Sequence, residues 1–572
     1  MDVSETATVR QRTGGWTPAF VFSRGTVLDL VIIAVLWTLA VVIVQPIGEF
    51  PLNDDWSWGM TVKRLVEGLG YQPGRWGEAT LFSHVLWGAL FCIPHGFSFT
   101  ALRFSTLVLS LTGALAMYGL IRQLQRPRLL AVVCALTLVF NPIYFALSNT
   151  FMTDVPFTAL AILSALFFVR HLQRESDVDL LIGTAFAVIA TLSRQVALCL
   201  PFALGVTLLL KHGFQRRWII RAVLPLITCL VVLVVFLLWL KITGKPPASN
   251  MHMKILWEVV THPKQVPVAV IFVIWSSWGM LLYLGWFLSP LILPAISRQQ
   301  RPEPSSPFCL PASVALLVFF MVSAVRLFLA PSLMPSLMPG GATIIIPQGI
   351  GPALLAGLPH LPALPIVFWL LVTVLSLVGA AILVFKTTRS IADLFPKGRF
   401  DRANADGLAG IFFLLCAVLY LAPFLLGLLF DRYLLPATVF LAAFIAASPE
   451  GRTFKMAGMQ QLAAILLIAG SGVFAVAGTK DYLEWNRTRW RALQAVLAQK
   501  DVKPEDIDGG FEFNGGNRFD NIRTPRAWAI NATYVIAFGE IEGYKAVASY
   551  RYQHWMPPRE GRIVVLKRKA QN

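Results

Sequence analysis

Charge is scarce along this chain. Asp, Glu, Lys and Arg together make up 14% of its 572 residues, while 56% are hydrophobic and the mean hydropathy is positive. A soluble core of this length could not hide so much apolar side chain, so soluble classes are excluded and an integral membrane protein is implied. Cysteine is equally uninformative as chemistry. Cys92, Cys134, Cys199, Cys229, Cys309 and Cys416 each lie in or beside an apolar stretch, with no CxxC or Cys/His spacing, and read as packing residues without disulfides or a metal centre. No Gly-rich phosphate loop follows a strand, which disfavours nucleotide-sugar chemistry. The spans are nearly free of charge at their centres and show no internal repeat, unlike a carrier with a midplane site. The net charge of +18 does not indicate nucleic acid, because no basic run is interleaved with exposed aromatics.

What is abundant is apolar sequence of membrane-crossing length. Segments near 27–46, 100–121, 129–147, 156–170, 179–192, 197–211, 219–240, 267–295, 309–330, 362–385, 408–429, 434–447 and 459–478 predict about thirteen helices across about 30 Å of hydrocarbon, with juxtamembrane helices in the first outer loop. The first is long and lacks a small-residue cleavage site, so it is taken as an uncleaved span. With residues 1–26 cytoplasmic, the inner segments hold 21 Lys and Arg against 9 in the outer loops. An odd helix number then puts the tail outside. Its pattern predicts an amphipathic helix over 480–500 and strands over 534–538, 545–552 and 562–566. The expected organisation is therefore an all-α polytopic membrane region, 27–478, and a small C-terminal α/β domain, 479–572, on the outer face.

The unusual residues gather on that outer side. Asn53-Asp54-Asp55-Trp56 stands just past the first span, followed by Trp58 and Lys63. Thr153-Asp154-Val155-Pro156, Ser193-Arg194-Gln195 and Asp431-Arg432-Tyr433 come later, and Arg326 lies inside a span near its outer end. Each has a plain alternative. Asp154 before Pro156 makes a helix N-cap, Asp431 and Arg432 a local ion pair, and Arg194 and Gln195 a hairpin cap. Arg326 snorkels, Trp56 and Trp58 belong to the interfacial aromatic belt, and His84, His95, His252 and His360 are solvated or packed. Asp54 and Asp55 resist such a reading, because a cap needs one carboxylate and this loop supplies two.

In their order and common side, Asn53-Asp54-Asp55-Trp56, Met152-Thr153-Asp154-Val155-Pro156, Ser193-Arg194-Gln195 and Asp431-Arg432-Tyr433-Leu434-Leu435-Pro436 resemble the bacterial membrane glycosyltransferases of the C superfamily. These are relatives of the protein mannosyltransferases, the lipid A aminoarabinose transferase and the galacturonosyltransferases of lipopolysaccharide core. The resemblance implies an inverting hexosyl- or pentosyltransferase of the bacterial inner membrane, with a periplasmic tail. It would take sugar from a polyprenyl-phosphate donor to a glycan, lipid or protein acceptor.

On that footing Asp54 or Asp55 is the base for the acceptor hydroxyl, the choice being open. Arg194, Arg432, Arg326 and Lys63, with Gln195 beside Arg194, are candidates to meet the departing phosphate. Trp56, Trp58, Asp431 and Tyr433 are candidates for the sugar or acceptor. Asp154 either orients the site or holds a divalent cation, and since no metal-specific spacing is present, cofactor and metal stay unassigned. The apolar, Pro- and Gly-rich stretch 331–362 is expected to order over an outer cavity when lipid binds. The competing class is a flippase of lipid-linked sugars.

Overall fold

The computed structural model describes residues 23–74, 76, 80–245, 257–258, 261–262, 266–294, 309–329, 332–337, 343–394, 404–425, 429–518, 532–557 and 559–569. Residues 1–22, the basic loops 295–308 and 395–403, His252 and the side chain of Cys309 lie outside them. The remaining five cysteines are buried and unpaired.

The helices are α1 (Arg24–Val44), α2 (Asp55–Val66), α3 (Phe82–Cys92), α4 (Phe99–Gln123), α5 (Arg128–Val139), α6 (Pro142–Ser148), α7 (Asp154–Arg174), α8 (Asp177–Ser193), α9 (Cys199–His212) and α10 (Arg216–Ile242). They continue with α11 (Val266–Phe287), α12 (Cys309–Leu329), α13 (Ile366–Asp393), α14 (Ala405–Leu425), α15 (Leu434–Ala447), α16 (Met459–Leu497) and α17 (Phe511–Arg518). All thirteen apolar segments contain helix. Among the described residues ten helices are long and apolar enough to cross a membrane, or eleven if the bent pair α5 and α6 is one span. The difference from thirteen arises at α8 and α15, which have 17 and 14 residues where a full crossing takes about 20. The expected juxtamembrane helices are α2 and α3.

Local chemistry explains the breaks between these helices. Asn141 accepts from the amides of Ile143 and Tyr144 at 3.0 and 3.1 Å, and Pro142 has no N–H to give, so the path turns by 62° between α5 and α6. Glu49 reaches from the loop after α1 to the start of α4, accepting from Ser98 Oγ and Phe99 N at 2.8 Å each. Packing inside the bundle is close. Gly285 of α11 and Gly379 of α13 face each other so tightly that a Cβ on Gly285 would stand 2.2 Å from the Ala380 nitrogen. Small residues permit this backbone approach where lipid provides no hydrophobic drive.

The expected boundary at 478/479 falls inside α16, a single 39-residue helix, so the amphipathic pattern over 480–500 is the continuation of the last span. Beyond it, strands β3 (Ile507–Asp508), β4 (Tyr534–Ala537), β5 (Tyr544–Gln553) and β6 (Glu560–Arg568) form a sheet in the order β3-β4-β6-β5, with β3 parallel to β4 and the other pairs antiparallel. Ile536, Ile563 and Val565 of the sheet are buried with Trp485, Leu493 and Val496 of α16. A two-stranded ribbon, β1 (Ile345–Ile346) with β2 (Gly349–Ile350), precedes α13. Its strap is stitched to the tail: Ala356 bridges Ala537, and His360 Nε2 lies 2.9 Å from the Glu540 carbonyl oxygen.

Candidate active site

The loop between α1 and α2 is held by side chains that satisfy its backbone. Arg103 of α4 donates to the carbonyls of Gly48 at 2.8 Å, of Pro46 at 3.4 Å and of Phe50. Asp55, fully buried at the start of α2, accepts from the Leu52 amide with one oxygen and from the Phe151 amide at 3.2 Å with the other. Burial pushes the Asp55 carboxyl up to about 8, against the opposing pull of Arg103 and the two amides. Both of its oxygens are thus turned inward.

Asp54 has different surroundings. One oxygen accepts from Trp76 Nε1 at 2.9 Å and the other from Arg432 Nη2 at 3.0 Å, across 378 residues of sequence. Arg432 Nε in turn lies 4.0 Å from Asp154 Oδ2. The second Asp154 oxygen accepts from Arg194 Nη2 at 2.8 Å, and Arg194 Nε donates to Thr153 Oγ1 at 3.0 Å. Tyr433 is near both guanidiniums, its ring centroid 5.3 Å from the Arg194 Cζ and 5.6 Å from the Arg432 Cζ. Two carboxylates and two guanidiniums from four separate segments therefore meet in one buried cluster.

Such a cluster is costly to desolvate unless each charge finds a partner, and here each has one. Burial works against the Arg432 cation, but Asp54, Tyr433 and Asp154 outweigh it and hold its pKa above the ordinary arginine value. Two atoms are left over: Asp154 Oδ2 and Arg432 Nε are both buried with no hydrogen-bond partner. Facing polar atoms without partners suit a ligand that brings both a donor and an acceptor. Among the described residues no group of three or more His, Cys, Asp or Glu is placed to hold a metal ion.

The plain alternatives fare unevenly. Asp154 does not cap α7 with its side chain: the N-cap is Thr153, without a side-chain cap bond, and the carboxylate goes to Arg194. Asp431 and Arg432 do not close on each other. Asp431 is fully buried and accepts from the amides of Ile344 and Ile345 at 2.9 to 3.0 Å, which pins the ribbon, while Arg432 reaches Asp54. Burial raises the Asp431 carboxyl to about 6 despite those amides. Gln195 opens the turn Gln195–Leu198 that follows Arg194.

Other candidates stand apart from the cluster. Lys63 is half-buried on α2, its Nζ 3.9 Å from Glu67 Oε1. Arg326 places its guanidinium 5.8 Å from the Trp275 ring, on a helix that packs against α11 and α13. Trp56 and Trp58 are buried, so neither presents a bare ring face. Trp56 packs on Trp76 and Phe511, and Trp58 meets the edge of His84, which stacks on Phe151 at 4.0 Å. Sequence reasoning missed Trp76, Arg103 and Glu512. Arg103, a cation near the start of a span, carried a usable signal; Trp76 and Glu512 carried none.

Residues 81–240 match a family model described as dolichyl-phosphate-mannose-protein mannosyltransferase. No curated protein matches the chain. Among solved structures, ArnT from Cupriavidus metallidurans bound to undecaprenyl phosphate is similar at 13% identity with a TM-score of 0.37, covering 96% of this chain and 98% of that one. The archaeal oligosaccharyltransferase AglB from Archaeoglobus fulgidus, in complex with an inhibitory peptide and a dolichol-phosphate, gives 13% and 0.41, covering 84% of this chain and 58% of that one. Superpositions this loose carry no weight for chemistry. The matched stretch 81–240 runs from the edge of α3 into α10 and includes Asp154 and Arg194.

Proposed function

We propose that this chain transfers a sugar from a polyprenyl-phosphate carrier to an acceptor on the outer side of a bacterial inner membrane, with inversion at the anomeric carbon. The observation that carries the reading is the convergence of Asp54, Asp154, Arg194 and Arg432 in one buried cluster at the helix ends. A lipid-phosphate donor keeps its isoprenoid in hydrocarbon and its sugar at the water edge, which suits a cluster set where α7 and α15 begin and α8 ends. The matching family's description names dolichyl-phosphate-mannose, a donor of this class. The bias of Lys and Arg supports a cytoplasmic N-terminus and a periplasmic tail. The division at 478/479 is part of the same reading, with the transferase region continuing into the tail through α16.

Asp54 is the base in this scheme. Asp55 has both oxygens committed to backbone amides and no exposed surface, whereas Asp54 faces the guanidinium cluster. The acceptor hydroxyl gives its proton to Asp54 as its oxygen bonds to the anomeric carbon, and the bond from that carbon to the phosphate oxygen breaks, its electrons leaving with the phosphate. Arg432 and Arg194 meet the growing negative charge, and a phosphate that draws Arg432 away leaves an Asp54 oxygen without its ion-pair partner. Asp154 orients both guanidiniums. Tyr433 sets their separation and borders the sugar.

The test uses purified protein, radiolabelled polyprenyl-phosphate sugars and envelope extract. Asp54→Asn is expected to lose transfer, while Asp55→Asn is expected to be a folding or stability variant. Undiminished transfer by Asp54→Asn would remove the base assignment, and movement of lipid-linked sugar across the bilayer without a new glycosidic bond would favour a flippase.

A further inference from the structure

The loop that carries Asp54 is gripped from the far end of the chain. Glu512, on α17 of the tail, accepts from the Asn53 amide with Oε1 at 2.9 Å, 459 residues away. Asn53 has a φ of +56°, a left-handed conformation that Asn tolerates better than most residues, and in it the amide faces the tail. The other Glu512 oxygen is 2.9 Å from Arg489 Nη1, close enough for an ion pair although the N–H is not aligned for a hydrogen bond. Both side chains have no exposed surface. Arg489 is held on α16 between Trp485 and Trp490, whose rings lie 5.6 and 5.4 Å from its guanidinium.

Two more contacts run the same way. Phe511 puts its ring edge against Trp56 at 6.2 Å and Trp76 at 5.6 Å, and Trp76 donates to Asp54. Gly515 lies so close to Trp56 that a Cβ would stand 2.6 Å from the indole. The Phe511 amide also donates to the Leu354 carbonyl at 3.1 Å, tying α17 to the strap before α13. Asn53, Trp56 and Trp76, the neighbours of Asp54 in sequence or space, are thus each fixed by one short helix of the tail.

We propose that Glu512 is a positioning residue for transfer: by holding the Asn53 amide it sets where Asp54 points, and the tail is in this sense part of the active site. A fully buried ion pair is weak as a source of stability, since its desolvation offsets most of its attraction, but it fixes geometry. An apolar contact would dock α17 equally well and would leave the Asn53 amide free to turn. The inference rests on Asp54 as the base.

The test separates the acceptor from the charge. In Glu512→Gln with Arg489→Met, the amide oxygen still accepts from Asn53 and no lone charge is buried. In Glu512→Leu with Arg489→Met, the acceptor is gone. Hydrogen exchange at the amides of residues 53–56 is expected to speed up in the leucine pair and to stay near wild type in the glutamine pair. Transfer is expected to follow, with kcat down about a hundredfold and the donor KM unchanged in the leucine pair, and both near wild type in the glutamine pair. If the leucine pair fails to fold, Glu512→Ala with Arg489→Met, which removes the same acceptor with a smaller side chain, is expected to give the same faster exchange and the same fall in kcat.

Exchange that is equal in all variants overturns the proposal, as does a matching loss of kcat in both pairs. Exchange needs no substrate, so it judges the positioning role even if wild type transfers nothing, a result that would instead count against the glycosyltransferase reading. Normal transfer with undisturbed exchange would sink the role of Glu512 and leave Asp54 standing.

Discussion

Arg432 carries the sharpest prediction because two functions meet in it. Its Nη2 holds Asp54 at 3.0 Å and its Nε stands 4.0 Å from an Asp154 oxygen that has no hydrogen-bond partner. Arg432→Met keeps much of the stem and removes every donor. If the guanidinium meets the departing phosphate, losing one well-placed donor lowers kcat by about 10² to 10³, or about 2.7 to 4 kcal/mol of barrier. Removing one member of a buried pair also destabilises, by about 3 kcal/mol or more where the remaining charge is fully enclosed. Asp54 keeps some exposure, so the stability loss should fall below that figure. Combining Arg432→Met with Asp54→Asn separates the two effects: the second change neutralises the orphaned carboxylate and should restore part of the melting temperature without restoring transfer. Arg432→Lys keeps a point charge but not the two-pronged reach, and should lie between wild type and Arg432→Met. The assays are single-turnover transfer from labelled lipid-phosphate sugar and thermal unfolding in detergent. A folded Arg432→Met enzyme with kcat within a few fold of wild type would refute the assignment of Arg432 to the phosphate.

Three further outcomes follow from the geometry. The Asp55 carboxyl is pushed up to about 8 in the fold, whereas in the unfolded chain it ionises near the ordinary value of about 4. Between those values the folded state binds the extra proton, so stability should fall as pH rises, by at most about 1.4 kcal/mol per unit. Asp55→Asn should flatten melting temperature against pH over that window, and an unchanged slope would exclude Asp55 as its source. Asp431→Ala leaves the Ile344 and Ile345 amides without their acceptor, at about 1 to 3 kcal/mol each, and should expose 343–350 to protease before the rest of the chain. Gly285→Val drives a side chain into the α13 backbone and should destabilise by about 1 to 3 kcal/mol in a melt, whereas no shift would show that α11 and α13 have room to part.

The spans were legible because their signal is summed over many residues. An apolar run reports its environment wherever its helix packs, and each of the thirteen segments contains helix, with the short α8 and α15 marking where length ceased to guide. The charged members of the cluster were legible for the opposite reason: Asp54, Asp154, Arg194 and Arg432 are expensive where they stand, although only the Asp54-Asp55 doublet lacked a plain alternative. Their partners were less visible. The adjacency of Asp431 and Arg432 suggested a pair, yet alternate backbone directions sent one to the ribbon amides and the other to Asp54. The Trp56 and Trp58 rings looked interfacial by type, but burial depends on Phe511 and His84, which the chain brings in from elsewhere.

The doublet Asp54-Asp55 shows why local sequence could not choose between equals. The two residues share composition, depth and neighbours, and they separate only when the third dimension supplies their donors. Asp55 turns back onto the Leu52 amide and across to Phe151, so its carboxylate is consumed in building the loop. Asp54, one residue earlier, points to side chains, Trp76 and Arg432, which a substrate can displace more cheaply than a buried amide. That division makes an asymmetric prediction: Asp55→Asn should change melting temperature more than it changes kcat for the protein that remains folded, and Asp54→Asn the reverse. Equal effects of the two substitutions on both quantities would mean that the pair acts as one unit, and the assignment of the base to Asp54 alone would fall.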